Sequence, residues 1–210
     1  MEDDRVKPKS WLLVSMAMIA LAGCDAIKSS RSDGLPLSEV KLDGRATISP
    51  SGATNPRYSV RSVDLIVPKT LRVSEENLFY PVADVVWRGE PQGDRLMQIS
   101  AILEEGLNAG VSGAKQGPQV TVKVQLERFH ALTEKARFSV GGVHDIVFVL
   151  TVLDLKTSVV LEGPRRVEIA IKASGNDKAI AEDAAGRTQR VVIVEGVAEA
   201  IRRELSGTAP

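Results

Sequence analysis

A chain of 210 residues with 27 basic and 27 acidic side chains carries no net field to draw a polyanion, and no basic block of five or more residues breaks the balance, so an electrostatic nucleic-acid binder is excluded. A hydrophobic fraction of 43% with 26% charge is that of a globular protein, whereas aromatics at 4% leave the core to Val, Leu and Ile. One cysteine in the whole chain excludes a disulfide framework.

The first 23 residues stand apart from any fold. Arg5, Lys7 and Lys9 precede twelve uncharged residues, Trp11 to Ala22, in which only Ser15 is polar. That is the n-region and h-region pattern of a secretory signal, and it is shorter than the roughly 20 residues a membrane-spanning helix needs. The n-region is imperfect, because Glu2, Asp3 and Asp4 offset its cations. The lone cysteine follows at once. Leu21-Ala22-Gly23-Cys24 resembles the lipobox of bacterial lipoproteins. The resemblance implies cleavage between Gly23 and Cys24 and a diacylglycerol thioether on the Cys24 sulfur, for which a thiolate is a suitable nucleophile. The alternative is a structural cysteine that happens to follow an apolar helix. Lipidation also implies an anchor in the bilayer without a span, since two or more acyl chains hold a protein stably where one does not. Asp25 resembles the inner-membrane retention signal of enteric lipoproteins, so the expected location is the periplasmic side of the envelope, on the inner membrane if that signal is read.

Residues 24–57 are rich in Ser, Gly, Pro, Asp and Asn without a sustained period, and read as the lipidated N-terminus and a flexible tether. A single α+β domain is expected over 58–206, with 207–210 as a disordered tail. Its first strand places Val63, Leu65 and Val67 on one face and stops at Pro68. Residues 71–95 lack a clean period and read as a long loop with a short extended piece at Asp84 to Arg88. Asp94 caps a predicted helix with Leu96, Ile99, Leu103 and Leu107 three and four apart and Glu104 and Glu105 outward. Three strands follow. The first alternates Val120, Val122, Val124 and Leu126 against polar residues, and the second is apolar at nearly every position from Ile146 to Leu153, so it should be central. The third alternates at Val167, Ile169 and Ile171, with Gly163-Pro164 as a bulge or edge kink. From Asn176 to Leu205 a helical spacing continues through the β-branched stretch around Val191 to Val194. The expected fold is an α+β two-layer sandwich in the order β-α-β-β-β-α: a mostly antiparallel sheet of about four strands with two helices on one face.

No constellation with catalytic chemistry emerges, and neither a cofactor nor a metal is expected. His130 and His144 flank Arg137 symmetrically, so a hairpin centred there would set them opposite each other; a metal would still need a third ligand, for which Glu134 and Asp145 are unremarkable. Two segments attract more notice. One mixes Phe129, Arg137 and Phe138 ahead of Gly141-Gly142, and the other places Trp87 beside Arg88. Trp87, Arg88, Phe129 and Arg137 are candidate partner contacts; equally, the first segment can be an irregular hairpin whose aromatics cap the core and the second a loop packed on the sheet edge.

The stretches "YPVADVVWRGEP" with "GDR", "RFHALTEKARFSVGGVH" and "EGPR" resemble an uncharacterised family of alphaproteobacterial lipoproteins, the DUF6778 type, over roughly Tyr58 to Leu205. That resemblance implies a lipoprotein and supplies no catalytic residues. The expected function is a non-enzymatic envelope lipoprotein that binds an envelope protein partner, as an assembly or transport auxiliary. The alternative is a binder of an apolar or lipid ligand, held between helices and sheet or under the loop from Leu71 to Pro91.

Overall fold

The computed structural model describes residues 55–207. The signal segment, the Gly23-Cys24 cleavage site, Cys24, Asp25 and nearly all of the tether lie outside the described residues, as do residues 208–210 of the tail.

One open six-stranded sheet organises the head. Strand β1 (Ser59–Ile66) is followed by two very short strands, β2 (Val73–Ser74) and β3 (Val85–Val86), and then by helix α1 (Arg95–Val111). Strand β4 (Gln119–His130), a single-turn helix α2 (Glu134–Arg137), and strands β5 (Gly142–Asp154) and β6 (Val160–Ala173) come next. Helices α3 (Asn176–Ala184) and α4 (Gln189–Glu204) close the chain. The spatial order is β2-β3-β4-β5-β6, and β1 shares the free edge of β4 with β3. β1 occupies the first half of that edge, from Ser59 beside Gln119 to Ile66 beside Gln125, and β3 the end, at Phe129 and His130.

Three points correct the expectation. The sheet has six strands and the head four helices, because two-residue strands and a four-residue helix are too short to leave a period in sequence. The sheet is mixed: β4, β5 and β6 form an antiparallel meander, while β1 and β3 lie parallel to β4. The reason for β1 is topological, since α1 carries the chain back and a strand-helix-strand crossover sets its two strands parallel. Finally, the last helical stretch is two helices. α3 stops at Ala184, Gly186 takes φ +79°, and the Thr188 side chain caps α4 by accepting from the Val191 amide.

The remaining elements form for the reasons their patterns imply. Asp94 accepts from the Met97 amide and starts α1, whose Ile99, Ile102, Leu103 and Leu107 are buried while Glu104 and Glu105 face water. α4 holds its helix through Val191 to Val194 because Ile193, Val197 and Ile201 bury one face. β4 alternates until a bulge at Leu126/Arg128, where Glu127 and Arg128 are both exposed. The extra residue changes the phase, which turns Phe129 rather than Arg128 into the core. The apolar faces of α1 and α4 cover one face of the sheet and close a core with Val122, Val124, Phe148 and Val152. The other face carries polar pairs such as Ser62 with Thr121, at 2.8 Å between hydroxyls, and Arg166 with Glu127, at 2.9 Å. Val147 is buried and Val149, Thr151 and Leu153 are half-buried on that face, so the second side of β5 is partly covered as expected.

α1 and α4 lie unusually close. A Cβ on Gly106 would meet the Val197 Cβ at 2.9 Å, and one on Gly110 would meet the Ile201 Cγ2 at 2.0 Å. Both contacts advance along the two chains together, so the helices run in the same direction, backbone against side chain.

Candidate functional site

The irregular segments gather at the end of the sheet where β4 finishes. Residues 71–91 are ordered there by specific bonds. The Ala131 amide donates to the Val86 carbonyl at 2.9 Å, the Thr133 hydroxyl to the Leu78 carbonyl at 2.8 Å, and the Lys135 amide to Asn77 Oδ1 at 2.8 Å. A buried arginine closes the other side: Arg95 donates to both Glu75 oxygens, at 2.7 and 3.0 Å, and Arg88 reaches Glu134 and the Glu75 carbonyl. The Arg95 bond holds the Glu75 carboxyl below its ordinary range.

The four candidate contact residues part company here. Trp87 and Phe129 are enclosed in the core, packed edge to face with ring centroids 6.0 Å apart. Arg137 is 2% exposed and donates from Nη2 and Nε to Asp183 on α3, at 2.8 and 3.3 Å. These three hold the head together from inside: the two rings fill the core and Arg137 ties α2 to α3. Arg88 keeps a part-exposed side chain in the network with Glu75 and Glu134.

The two histidines do not meet. His130 pairs with Asp145 and His144 with Ile171, so the hairpin is one residue off the symmetric register and the rings point to opposite faces. His130 bonds the Ala83 carbonyl through Nε2 at 2.7 Å. His144 is buried, and its Nδ1 accepts from the Leu132 amide at 3.2 Å. Burial, with the Arg137 charge beside it, lowers the His144 pKa to about 4.

What this end of the sheet presents to solvent is apolar. Tyr80 is 89% exposed, Val82 87% and Val140 75%, with Phe79, Phe138 and Val143 exposed nearby. Between the Phe79-Pro81 turn and the β4–β5 connection runs a groove of about 600 Å³, with Leu132, Ala136 and Val143 in its wall. Its rim is charged: Arg128 pairs with Asp145 at 3.3 Å, and Lys172 stands on β6. The Lys135 ammonium lies 4.9 Å from the centre of the Phe79 ring and pins that turn. No helix among the described residues is long and apolar enough to cross a membrane. The sequence carried one signal for the groove, the adjacent aromatics Phe79 and Tyr80 in a stretch without a period.

A model of a family of unknown function, DUF6778, matches residues 58–210. No curated protein matches the sequence significantly. Among solved structures, the chain is similar to a Xanthomonas campestris protein of the DUF330 family, with 10% identity and a TM-score of 0.45 over 76% of this chain and 87% of that one. It is also similar to a candidate lipoprotein of Caulobacter crescentus, with 18% identity and a TM-score of 0.31 over 58% and 81%. A third is the PelC dodecamer of Paraburkholderia phytofirmans, with 12% identity and a TM-score of 0.35 over 75% and 95%. At these scores the likenesses carry no activity across.

Proposed function

The chain belongs to the DUF6778 family, of unknown function, and from that premise we propose that it is a non-enzymatic, lipid-anchored envelope protein whose head docks another envelope protein in the groove beside the Phe79-Pro81 turn. The observation that carries the reading is the clustering of exposed Phe79, Tyr80, Val140 and Val143 along that groove, when most other large apolar side chains of the head are buried or half-buried. An apolar centre within a charged rim is the anatomy of a protein interface rather than of a surface that lies on lipid. Position supports the same occupant. The chain joins the head where Ser59 pairs with Gln119, and the groove lies at the His130 end of the same twelve-residue strand, on the order of 35 Å away. The groove therefore lies at the end of the head opposite the point where residue 57 enters it. Anchoring through Cys24, on the periplasmic side of the envelope, is part of the proposal and rests on the lipobox.

A second reading is favoured by the size of the groove, since about 600 Å³ lies within the usual range of ligand pockets: an apolar or lipid ligand could occupy it. The space between helices and sheet does not serve, because Ile99, Leu103, Val197 and Ile201 fill it. Photo-crosslinking from residue 80 in native membranes separates the two. A discrete protein adduct that disappears in Val140→Asp supports docking, adducts with lipid alone support the ligand reading, and adducts unaffected by Val140→Asp overturn the groove as the site.

A further inference from the structure

β6 is the outermost strand in the order β2-β3-β4-β5-β6 and, at 14 residues, the longest. One side of it is laddered to β5. On the other, residues 166–172 make no backbone hydrogen bond among the described residues. Such a row of unpaired N–H and C=O groups is a template for another strand, which natural sheets guard with prolines, bulges and charges. The first part of β6 is guarded in that way. Gly163-Pro164 sits at the break in register opposite Leu150 and Val152, and the Glu162 carboxylate is tied to Arg57, Tyr58 and Arg165. From Arg165 to Ala173 the pairing with β5 is regular and the strand holds no proline.

The charges on this stretch have an order. Val167 and Ile169 are buried under the helices, so Arg166, Glu168, Ala170 and Lys172 lie on the open face, all of them exposed. Arg166 is shared between two carboxylates, Glu127 at 2.9 Å and Glu168. Lys172 forms no ion pair among the described residues. A strand with surplus acid at 168 and surplus base at 172 is complementary to itself when turned around. A two-fold axis perpendicular to the sheet at Ala170 sets each residue opposite the one equally far beyond the axis on the second copy. Glu168 then faces Lys172 twice and Ala170 faces Ala170, while on the helix side Ile169 faces Ile171 and Val167 faces Ala173. Other registers do not match. An axis at Glu168 or Lys172 sets a charge against its own copy, one at Ile169 sets Arg166 against Lys172, and one at Ile171 gives neither Glu168 nor Lys172 an opposite charge. An axis at Val167 pairs Arg166 with Glu168 but runs into Pro164. Like charges directly opposite destabilise a strand pair and unlike ones support it, so charge and proline together select the axis at Ala170.

We propose that the head forms a symmetric dimer through β6, residues 167–173 of two copies pairing antiparallel about Ala170 so that their sheets become one. Ala170 and Lys172 also line the docking groove, so the second copy extends the β6 wall of that groove. The pairing rests on β6 alone and stands whether or not the groove docks a protein.

The test uses the full-length, detergent-solubilised protein at low salt. Sedimentation over a concentration series should show a monomer–dimer equilibrium. Glu168→Lys and Lys172→Glu should each weaken it about tenfold, the weight of two cross-strand ion pairs turned into repulsions. The two substitutions together should restore it, which a merely damaged head would not do. Ala170→Cys should give a covalent dimer on mild oxidation, because opposite Cβ atoms on paired strands lie about 5 Å apart, within reach of a disulfide. Glu168→Cys should not, and neither should the wild type, whose Cys24 sets the background. A monomer throughout the series overturns the proposal, as does a dimer that the charge reversals leave unchanged or that the double variant fails to recover. Crosslinking no greater from residue 170 than from residue 168, or adducts from residue 170 with other proteins alone, overturns it equally.

Discussion

His144 makes acid sensitivity a local property of this head. Its ordinary pKa of 6.5 falls to about 4 in the fold, because burial and the neighbouring Arg137 both disfavour the charged ring. Between those values the unfolded chain binds a proton that the folded chain refuses. The stability due to a neutral His144 is therefore whole above pH 6.5 and declines as the pH falls towards 4, by about 3 kcal/mol in all. Urea unfolding at pH 7 and pH 4.5 checks this: the wild type should lose more stability between the two than His144→Gln, and equal losses would dismiss the effect. Carboxylates held low by partners, such as Glu75 and Glu162, also weaken the fold in acid, but the difference between the two proteins removes them. The same residue marks a limit of reading sequence at this scale. Symmetric spacing about Arg137 places the histidines opposite each other only in a symmetric turn. Here the connection contains α2 and Gly141 at φ +71°, and a slip of one residue puts the rings on opposite faces. Trp87 and Phe129 teach a similar lesson, since an aromatic beside an arginine reads alike whether tertiary contacts bury it or leave it free.

At the scale of elements, α1 and α4 make the sharpest test of packing. Ala is a better helix former than Gly by about 1 kcal/mol, so Gly110→Ala stabilises the isolated helix. In the head its methyl would lie 2.0 Å from the Ile201 Cγ2 and 2.7 Å from the Ala198 carbonyl oxygen. Overpacking of that order costs about 1 to 3 kcal/mol, which wins or cancels. The expected outcome is a Tm several degrees lower for Gly110→Ala, while Gly113→Ala, with nothing within 4 Å, leaves it unchanged or raises it. A higher Tm for Gly110→Ala would mean that the helices stand further apart. Long elements were legible because each repeats its pattern several times: α1 with its Asp94 cap, the alternating β4, the apolar β5, and α4 despite its valines. The break before α4 was not, because the apolar spacing from Ile180 and Ala184 to Val191 runs across it, although Gly186 and Thr188 are the stop and cap signals that mark it. β3 falls inside the short extended piece expected at Asp84 to Arg88, whereas β2 and the pairing of the two were not legible. Two residues carry no period, and what places them is bonding to Arg72, Asp84 and β4.

For the whole molecule, the expectation of a lipid anchor rests on one short motif rather than on periodicity. The lipobox predicts a mature chain that begins at Cys24 and carries acyl mass. Intact mass from native membranes should show that species for the wild type and lose it in Cys24→Ser, whereas a wild-type chain retaining Met1 would end the case for anchoring. The α+β class was legible from the alternation of strands and helices; the parallel placement of β1 also lay in the order strand, helix, strand, a connection whose direction composition does not record. That placement has a temporal side. The partner of β1 is residues 119–125, some sixty positions further along the chain. A polypeptide that has emerged only as far as Pro118 holds its first strand and α1 with nothing to pair or cover, whereas β4, β5 and β6 join neighbours through short connections as they appear. Loop-closure entropy makes the distant pairing the slow one. The end of the head nearest the tether is thus the last to set, and until it does an apolar strand edge waits in the open beside the point of attachment.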